Sequence, residues 1–358
     1  MTDLASSWTN AGAVLTVHRW VTVIGGLLLA CMAVLMLCLQ FGATSVGVGT
    51  VATAIAHMVR GVDADSTSLE TSEIIMVQIR FPRVLMGFLV GASLAAVGVT
   101  LQALLRNPLA DPYVLGVSSG SALGVSVGIL FGIGSTLMLL PMLPLFGFAG
   151  GLLALLLIYR LAQSKGRLPI HSLLLAGVIL NAILTAFIMF ITSIMEPNRS
   201  AGLMAWLMGS LTAPNYQALG IFLLYVVFVL VILMHKAQSL NMLTLGEETA
   251  RSLGVETEGI KKRLFALTAL LTGAIVSVSG MIGFVGMVVP HAVRLVIGSD
   301  HRLLLPASAL VGGMFLAVAD TIARTIMAPA EIPVGIVTAL TGGPFFLYLL
   351  LWRKDRMV

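Results

Sequence analysis

Few residues in this sequence have the type and spacing to do chemistry, and most of those point to recognition. Arg80 and Arg83 flank Pro82 at the start of a long apolar run. A rigid turn there would present two guanidinium groups, which pair with carboxylates of a docking protein through two-pronged, charge-assisted hydrogen bonds. The plainer alternative is a pair of arginines snorkelling to a lipid interface. Arg324 is a third arginine of this kind, but it lies one helical turn beyond Asp320, so an internal i,i+4 pair competes with an outward role. Arg199, beside Asn198, is placed to attract a carboxylate of an incoming substrate.

The segment from Leu240 to Val255 is among the least lipid-like in the chain. Thr244 or Gly246 is suited to start a short helix with Glu247 and Glu248 in its first turn, and Gly254 to end it in the left-handed conformation. Gly246, Ala250 and Gly254 recur at every fourth position and predict a narrow face that seats this helix in a cleft of another protein; a capped surface helix with no partner is the alternative.

Other polar groups offer little catalysis. Asn107, Pro108, Asp111 and Pro112 make a stiff reversal, because each proline discourages a continuing helix. His291 follows Pro290 and precedes Arg294, Asp300 and His301, which suits a structural or gating hydrogen bond better than a metal ligand. Cys31 and Cys38 share one apolar run and offer neither a disulfide framework nor a zinc site. Gly280-x-x-Gly283-x-x-Gly286 lacks the strand context and the Gly-Lys-Ser/Thr ending of a phosphate-binding loop. No series of intramembrane carboxylates stands ready for proton coupling, which disfavours an ion-driven carrier. The sequence therefore predicts no catalytic, cofactor-binding or metal site of its own.

Membrane helices have to position these groups. Of the 358 residues, 58% are hydrophobic and 10% charged, whereas a soluble domain carries roughly 25% charged residues. The net charge of +5 could suggest nucleic acid, but the basic residues sit in short clusters between apolar runs and mark topology, so no nucleic-acid partner is expected. Crossing a bilayer takes about 20 apolar residues in a helix. Counted against that length, the chain is an all-α polytopic membrane protein, with ten transmembrane helices near 20–40, 84–105, 113–133, 144–160, 170–193, 214–234, 264–280, 282–298, 303–323 and 332–352. Residues 20–40 are taken as a first anchor, not a signal peptide. Positive charge at Arg160, Lys165, Arg167, Lys261, Lys262, Arg263 and the tail from Arg353 puts both termini in the cytoplasm. Of the 20 Lys and Arg residues, only Arg60, Arg80, Arg83, Arg199 and Arg324 then fall outside. A hairpin containing Gly134, Pro141 and Pro144 joins two of the spans, and the segment around Trp206 lies at the interface. Residues 1–358 form one transmembrane domain with a cytoplasmic region at about 240–262, so any catalytic engine belongs to a partner.

Motifs in consistent order from about residue 79 to 350 carry a family resemblance. They are Arg80-Phe-Pro82-Arg83, Gly91-Ala-Ser-Leu-Ala-Ala-Val-Gly98 with Gln102, Arg106-Asn-Pro-Leu-Ala-Asp-Pro112, Leu115-Gly-Val-Ser-Ser-Gly120, Ser252-Leu-Gly-Val255, Gly283-Phe-Val-Gly286, Pro290-His291 with Arg294, and Glu331-Ile-Pro-Val-Gly335. With them the chain resembles the FecCD-like permease subunits of type II ATP-driven importers for iron chelates, heme and cobalamin. Phe81 stands where that pattern usually has Leu. The resemblance implies a homodimer in the bacterial inner membrane, resting on two cytoplasmic ATPase subunits that bind ATP and Mg, with a periplasmic binding protein delivering cargo. It also implies that Arg80, Arg83 and Arg324 receive acidic residues of that binding protein, and that Gly246, Glu247, Ala250, Ser252, Leu253, Gly254 and Val255 form the region seated in the ATPase. An apolar path lined partly by some of the 19 methionines suits a bulky iron complex, so the expected cargo is heme, ahead of ferric siderophore and then cobalamin.

Overall fold

In hydrocarbon a backbone must satisfy its own hydrogen bonds, and long apolar runs do so as helices. The computed structural model describes residues 15–42, 47, 49–51, 53, 71–133, 136–137, 140–164, 166–212 and 215–354. Arg60, Gly134, Lys165 and the tail from Asp355 lie outside the described residues.

The helices are α1 (Val17–Gln40), α2 (Ser72–Leu104), α3 (Val117–Leu130), α4 (Met142–Ala162), α5 (Ile170–Ile194), α6 (Pro197–Leu207), α7 (Tyr216–His235), α8 (Ala237–Thr244), α9 (Glu247–Ser252), α10 (Thr257–Ser279), α11 (Val285–Ile297), α12 (His301–Thr325) and α13 (Val334–Lys354). Among the described residues, seven are long and apolar enough to cross a membrane: α1, α2, α4, α5, α7, α10 and α12. Three shorter apolar helices, Val117–Leu130, Val285–Ile297 and Val334–Tyr348, fall where further spans are expected from the sequence. Thr136–Leu137 and Leu140–Pro141 pair antiparallel between α3 and α4.

The rigid turn expected at Arg80-Phe-Pro82-Arg83 is absent, because α2 runs continuously through it. Pro82 cannot donate a backbone hydrogen bond, and its ring crowds the preceding turn. The chain absorbs this by widening into a π turn over Met76–Arg80, with the Phe81 N–H bonded to the Met76 carbonyl. Arg80 and Arg83 are thus fixed by helix geometry.

α2 is buried along most of its length, while α1, α4, α5 and α7 are largely uncovered. It packs against α12, α11 and α10, where small residues let backbones meet. A Cβ on Gly98 would collide with the Gly286 carbonyl of α11, and one on Gly91 with the Gly312 carbonyl of α12. Gln102 and Arg294 pair across helices inside this core. Gln102 Nε2 donates to the Met287 carbonyl at 3.2 Å, and Gln102 Oε1 accepts from Arg294 Nη2 at 3.0 Å.

The chain between α10 and α11 turns back as expected, but over an irregular stretch. Gly280 adopts φ 65° and α11 starts only at Val285. At 13 residues, a helix such as α11 is about 20 Å long and too short to cross alone. Such backbone persists at membrane depth only when protein covers it. Here the Ile282 N–H donates to the Tyr113 hydroxyl, and the Ser210 N–H, just past α6, donates to the Ser279 carbonyl at 2.9 Å.

The reversal after α2 is built from its own side chains. Asn107 Oδ1 accepts the Leu109 N–H at 2.9 Å, and Asp111 Oδ1 accepts the Tyr113 N–H at 2.8 Å, capping the short 3-10 turn Pro112–Leu115. Burial pushes the Asp111 carboxyl up to about 6, against the pull of that backbone bond.

Two outcomes follow from this packing. Gly98→Leu lowers the thermal midpoint of the detergent-solubilised protein, costing at least about 1–3 kcal/mol, whereas Gly26→Ala, with nothing within 4 Å of the added atom, does not. For Asp111, whose folded pKa lies above the usual carboxylate value, ionisation opposes folding, so its penalty is absent below about pH 4 and grows as pH rises toward 6. Asp111→Asn keeps the cap and gains stability at pH 7 on the order of 1–3 kcal/mol over the wild type. Thermal unfolding from pH 4 to 8 checks both the gain and its disappearance in acid.

Candidate functional site

Chemistry-bearing side chains collect at the two ends of the α2/α12 pair. The helices run antiparallel, so the start of α2 meets the end of α12. Arg83 donates to both oxygens of Asp320 through Nε, at 3.2 and 3.1 Å, and its Nη2 reaches Asp320 Oδ1 at 2.9 Å. Its Nη1 donates to both oxygens of Glu331, at 3.1 and 2.9 Å. Arg324 Nη2 donates to the Cys38 carbonyl at 2.7 Å, and its Nε lies 3.7 Å from Asp320 Oδ2. Arg80 Nη1 donates to the carbonyls of Leu39 and Gln40, each at 3.2 Å. Arg80 and Arg324 thus meet at the end of α1, and Asp320 joins Arg83 to Arg324 in the same cluster. Arg80 and Arg324 are buried, and Asp320 is 1% exposed while Glu331 stands out in the open. The anticipated i,i+4 pair exists, but Arg83 is the closer partner of Asp320. A buried carboxylate so held is costly to strip of its arginine.

Arg199 lies apart from this cluster. Its Nη1 donates to the Leu130 carbonyl at 3.0 Å, at the negative end of α3, and its Nε is 3.3 Å from Glu196.

The opposite end holds the short helix α9. Gly246 precedes it with φ 112°, Glu247 and Glu248 occupy its first turn, and Gly254 follows with φ 84°. The Gly254 N–H bonds to the Arg251 carbonyl at 2.9 Å and the Val255 N–H to the Ala250 carbonyl at 3.0 Å, a two-bond helix stop that requires the left-handed residue. The expected small-residue face needs correcting. Ala250 is fully buried against the chain's own core, so Gly246, Ala250 and Gly254 do not form one outward stripe. The uncovered side carries Leu245, Glu248, Ser252, Leu253 and Gly254.

Two residues, Lys261 and Asn241, join this end to the spans. Lys261, 3% exposed, sits 3.0 Å from Glu247 and 2.7 Å from Glu258. Asn241 on α8 accepts the His301 N–H at 2.8 Å and donates to Asp300 at 2.8 Å, clamping the start of α12. Hydrogen bonds from Arg302, with help from Asn241, pull the Asp300 carboxyl down to about 2. A cleft of about 520 Å³ opens beside α9, lined among others by Arg106, Arg167, His171, Glu248 and Arg251. Asn107, Pro108 and Asp111 lie just past Arg106, and Pro290 and His291 lie inside α11. Sequence reasoning missed Lys261 and Glu331 as partners. Lys261 counted only as topological charge, and its partners stand 14 and 3 residues away along the chain. Among the described residues no group of three His, Cys, Asp or Glu side chains could hold a metal ion.

Comparison with known proteins places this geometry. The description "FecCD transport family" matches residues 18–352. The cobalamin import system permease protein BtuC of Halobacterium salinarum is 44% identical over 295 residues, covering 80% of this chain and 76% of that protein. The hemin transport system permease protein HmuU of Yersinia pestis is 42% identical over 287 residues, covering 79% and 84%. A solved structure described as an inward-facing conformation of an ABC transporter assigned to the metal-chelate type superposes with TM-score 0.78 at 30% identity, over 93% of this chain and 99% of that one. The chain belongs to the FecCD transport family: it is a multi-pass inner-membrane permease subunit of a type II ABC importer, without a catalytic site of its own, and ATP is hydrolysed in separate subunits.

Proposed function

We propose that this permease forms the translocation path for a bulky metal chelate of the cobalamin, heme or ferric-siderophore class, moved by alternating access. The family match over nearly the whole chain carries this reading. The order of cargo expected from the sequence, with heme first, has no support from the relatives: the one named for cobalamin is 44% identical and the one named for hemin 42%. The cargo class, and not hemin in particular, is therefore the proposal.

In this reading two copies form a homodimer, each crossing the membrane ten times with both termini in the cytoplasm. Residues 1–358 are one transmembrane domain, with the coupling region at about 240–262. Two cytoplasmic ATPase subunits bind ATP and Mg and receive Gly246, Ser252, Leu253, Gly254 and Val255; Ala250, buried in the core, and Glu247, paired with Lys261, hold that helix to its own chain. The exposed apolar side chains Leu245 and Leu253 beside Glu248 support this contact, since a capped helix with an uncovered apolar edge is suited to a groove. At the outer face Arg83 and the exposed Glu331 meet the periplasmic binding protein, while the buried Arg80 and Arg324 hold that surface to the end of α1 through the carbonyls of Leu39, Gln40 and Cys38. Arg199 flanks the mouth of the path, and the reversal at Asn107, Pro108 and Asp111, together with Pro290 and His291, moves or holds as the gate.

Reconstitution in vesicles with the ATPase and binding protein tests the reading. ATP hydrolysis rises several-fold when the binding protein carries cobalamin, hemin or a ferric siderophore, and only the physiological class also accumulates inside. Arg83→Glu weakens docking of the binding protein by roughly tenfold at low salt and by less at high salt. Uptake driven by an ion gradient without any ATPase would instead mark a secondary transporter and overturn the proposal.

A further inference from the structure

The cluster around Lys261 joins three segments that are separate along the chain. Lys261 is near the start of α10, one turn beyond Glu258, and its ammonium lies 2.7 Å from Glu258 and 3.0 Å from Glu247 of α9. The third donation, at 3.3 Å, goes to the carbonyl of Leu168, in the connection between α4 and α5. Glu258 completes the triangle by accepting the Leu168 N–H at 3.0 Å. Arg251, on the last turn of α9, closes the cluster from the solvent side. Its Nη2 is 3.6 Å from Glu258 and its Nε donates to Thr257 at 2.9 Å. A second tie runs in parallel, since Lys262 donates to the Gly166 carbonyl at 2.7 Å.

An ammonium has three protons to donate, and here each meets an acceptor from a different segment. A charge this enclosed is held only while all its partners stay in place, so the three segments keep one relative position or lose the cluster together. α9 is a helix of six residues between two positive-φ glycines, Gly246 and Gly254, and its other polar tie to α10 is the half-exposed Arg251, whose contacts end on Thr257 and Glu258 and do not reach the α4–α5 connection.

Resting on the proposed contact between α9 and the ATPase, we propose that Lys261 is the positioning residue that transmits displacement of α9 to the membrane helices. Through Glu258 and its own backbone it moves α10; through Leu168 it moves the α4–α5 connection. One push is thereby delivered to two spans on either side of the cleft lined by Arg106, Arg167 and His171. Without Lys261, α9 still docks, because the uncovered residues Leu245, Glu248, Leu253 and Gly254 on and beside it make no contact with that ammonium, but its movement reaches α10 only through Arg251 and reaches the α4–α5 connection no longer through Lys261.

The test measures transport per ATP hydrolysed in vesicles holding the permease, ATPase and binding protein. Three variants are compared: Lys261→Met, Lys261→Arg, and the triple variant Lys261→Met/Glu247→Gln/Glu258→Gln, which leaves no carboxylate stranded if the single change fails to fold. The expected result is that the ATPase still co-purifies and hydrolyses ATP with Lys261→Met and the triple variant, while transport per ATP falls by about 5- to 150-fold, the range spanned by coupling between two sites. Lys261→Arg keeps the charge and recovers part of the ratio. Unchanged transport per ATP in the triple variant would overturn the proposal, as would loss of ATPase co-purification together with an unchanged ratio in the complexes that remain. Wild-type vesicles that neither bind an ATPase nor transport would instead count against the importer reading itself.

Discussion

Hydrocarbon offers no partner to a charge or to an open backbone group, and the structure of this permease is arranged around that constraint. Ionisable side chains are driven to the two ends of the spans, and there they satisfy one another. At one end Arg83 is divided between Asp320 and Glu331; at the other Lys261 is divided between Glu247 and Glu258. The surfaces offered to partner proteins are by-products of this sorting. Groups that must pair before they can be buried make rigid clusters, and their less buried members, Glu331 and Arg251, are left where another protein can reach them.

Between the two clusters runs α2. Arg83 and Leu105 are 22 positions apart, a helix length of about 33 Å, enough to cross the hydrocarbon. Close approach at Gly91/Gly312 and Gly98/Gly286 binds α12 and α11 to it. Helices packed backbone to backbone do not deform continuously; they shift as units. In the proposed coupling, a displacement at the α9 end is carried through a stiff core, and the clusters decide which helices take part.

Much of this was legible in the sequence. Apolar length placed the helices, because the bilayer imposes a count no soluble fold would need; Gly246 and Gly254 marked the ends of α9, because only a residue without a side chain adopts positive φ cheaply. Arg80, Arg83 and Arg324 stood out by their departure from the charge bias, but the sequence did not show that Arg80 and Arg324 are buried against the end of α1. What the sequence could not deliver was pairing between distant segments. Arg83 and Glu331 are 248 residues apart, and no local period connects them. The Pro82 turn was misjudged because a proline near a helix start reads the same whether the chain turns there or widens into a π turn. The stripe Gly246, Ala250, Gly254 was misassigned because spacing alone does not say whether a small face meets a partner or the chain itself.

Everything rests on the two charged clusters lying on opposite faces of the membrane. In a background of Cys31→Ala and Cys38→Ala, a single cysteine is placed at Met327, beyond α12, or at Leu253, on the uncovered side of α9; both positions are exposed, at 62% and 56%. A membrane-impermeant maleimide is added to sealed right-side-out vesicles. The account predicts immediate labelling at position 327 and labelling at position 253 only after the vesicles are opened. Labelling of both positions in sealed vesicles would contradict it.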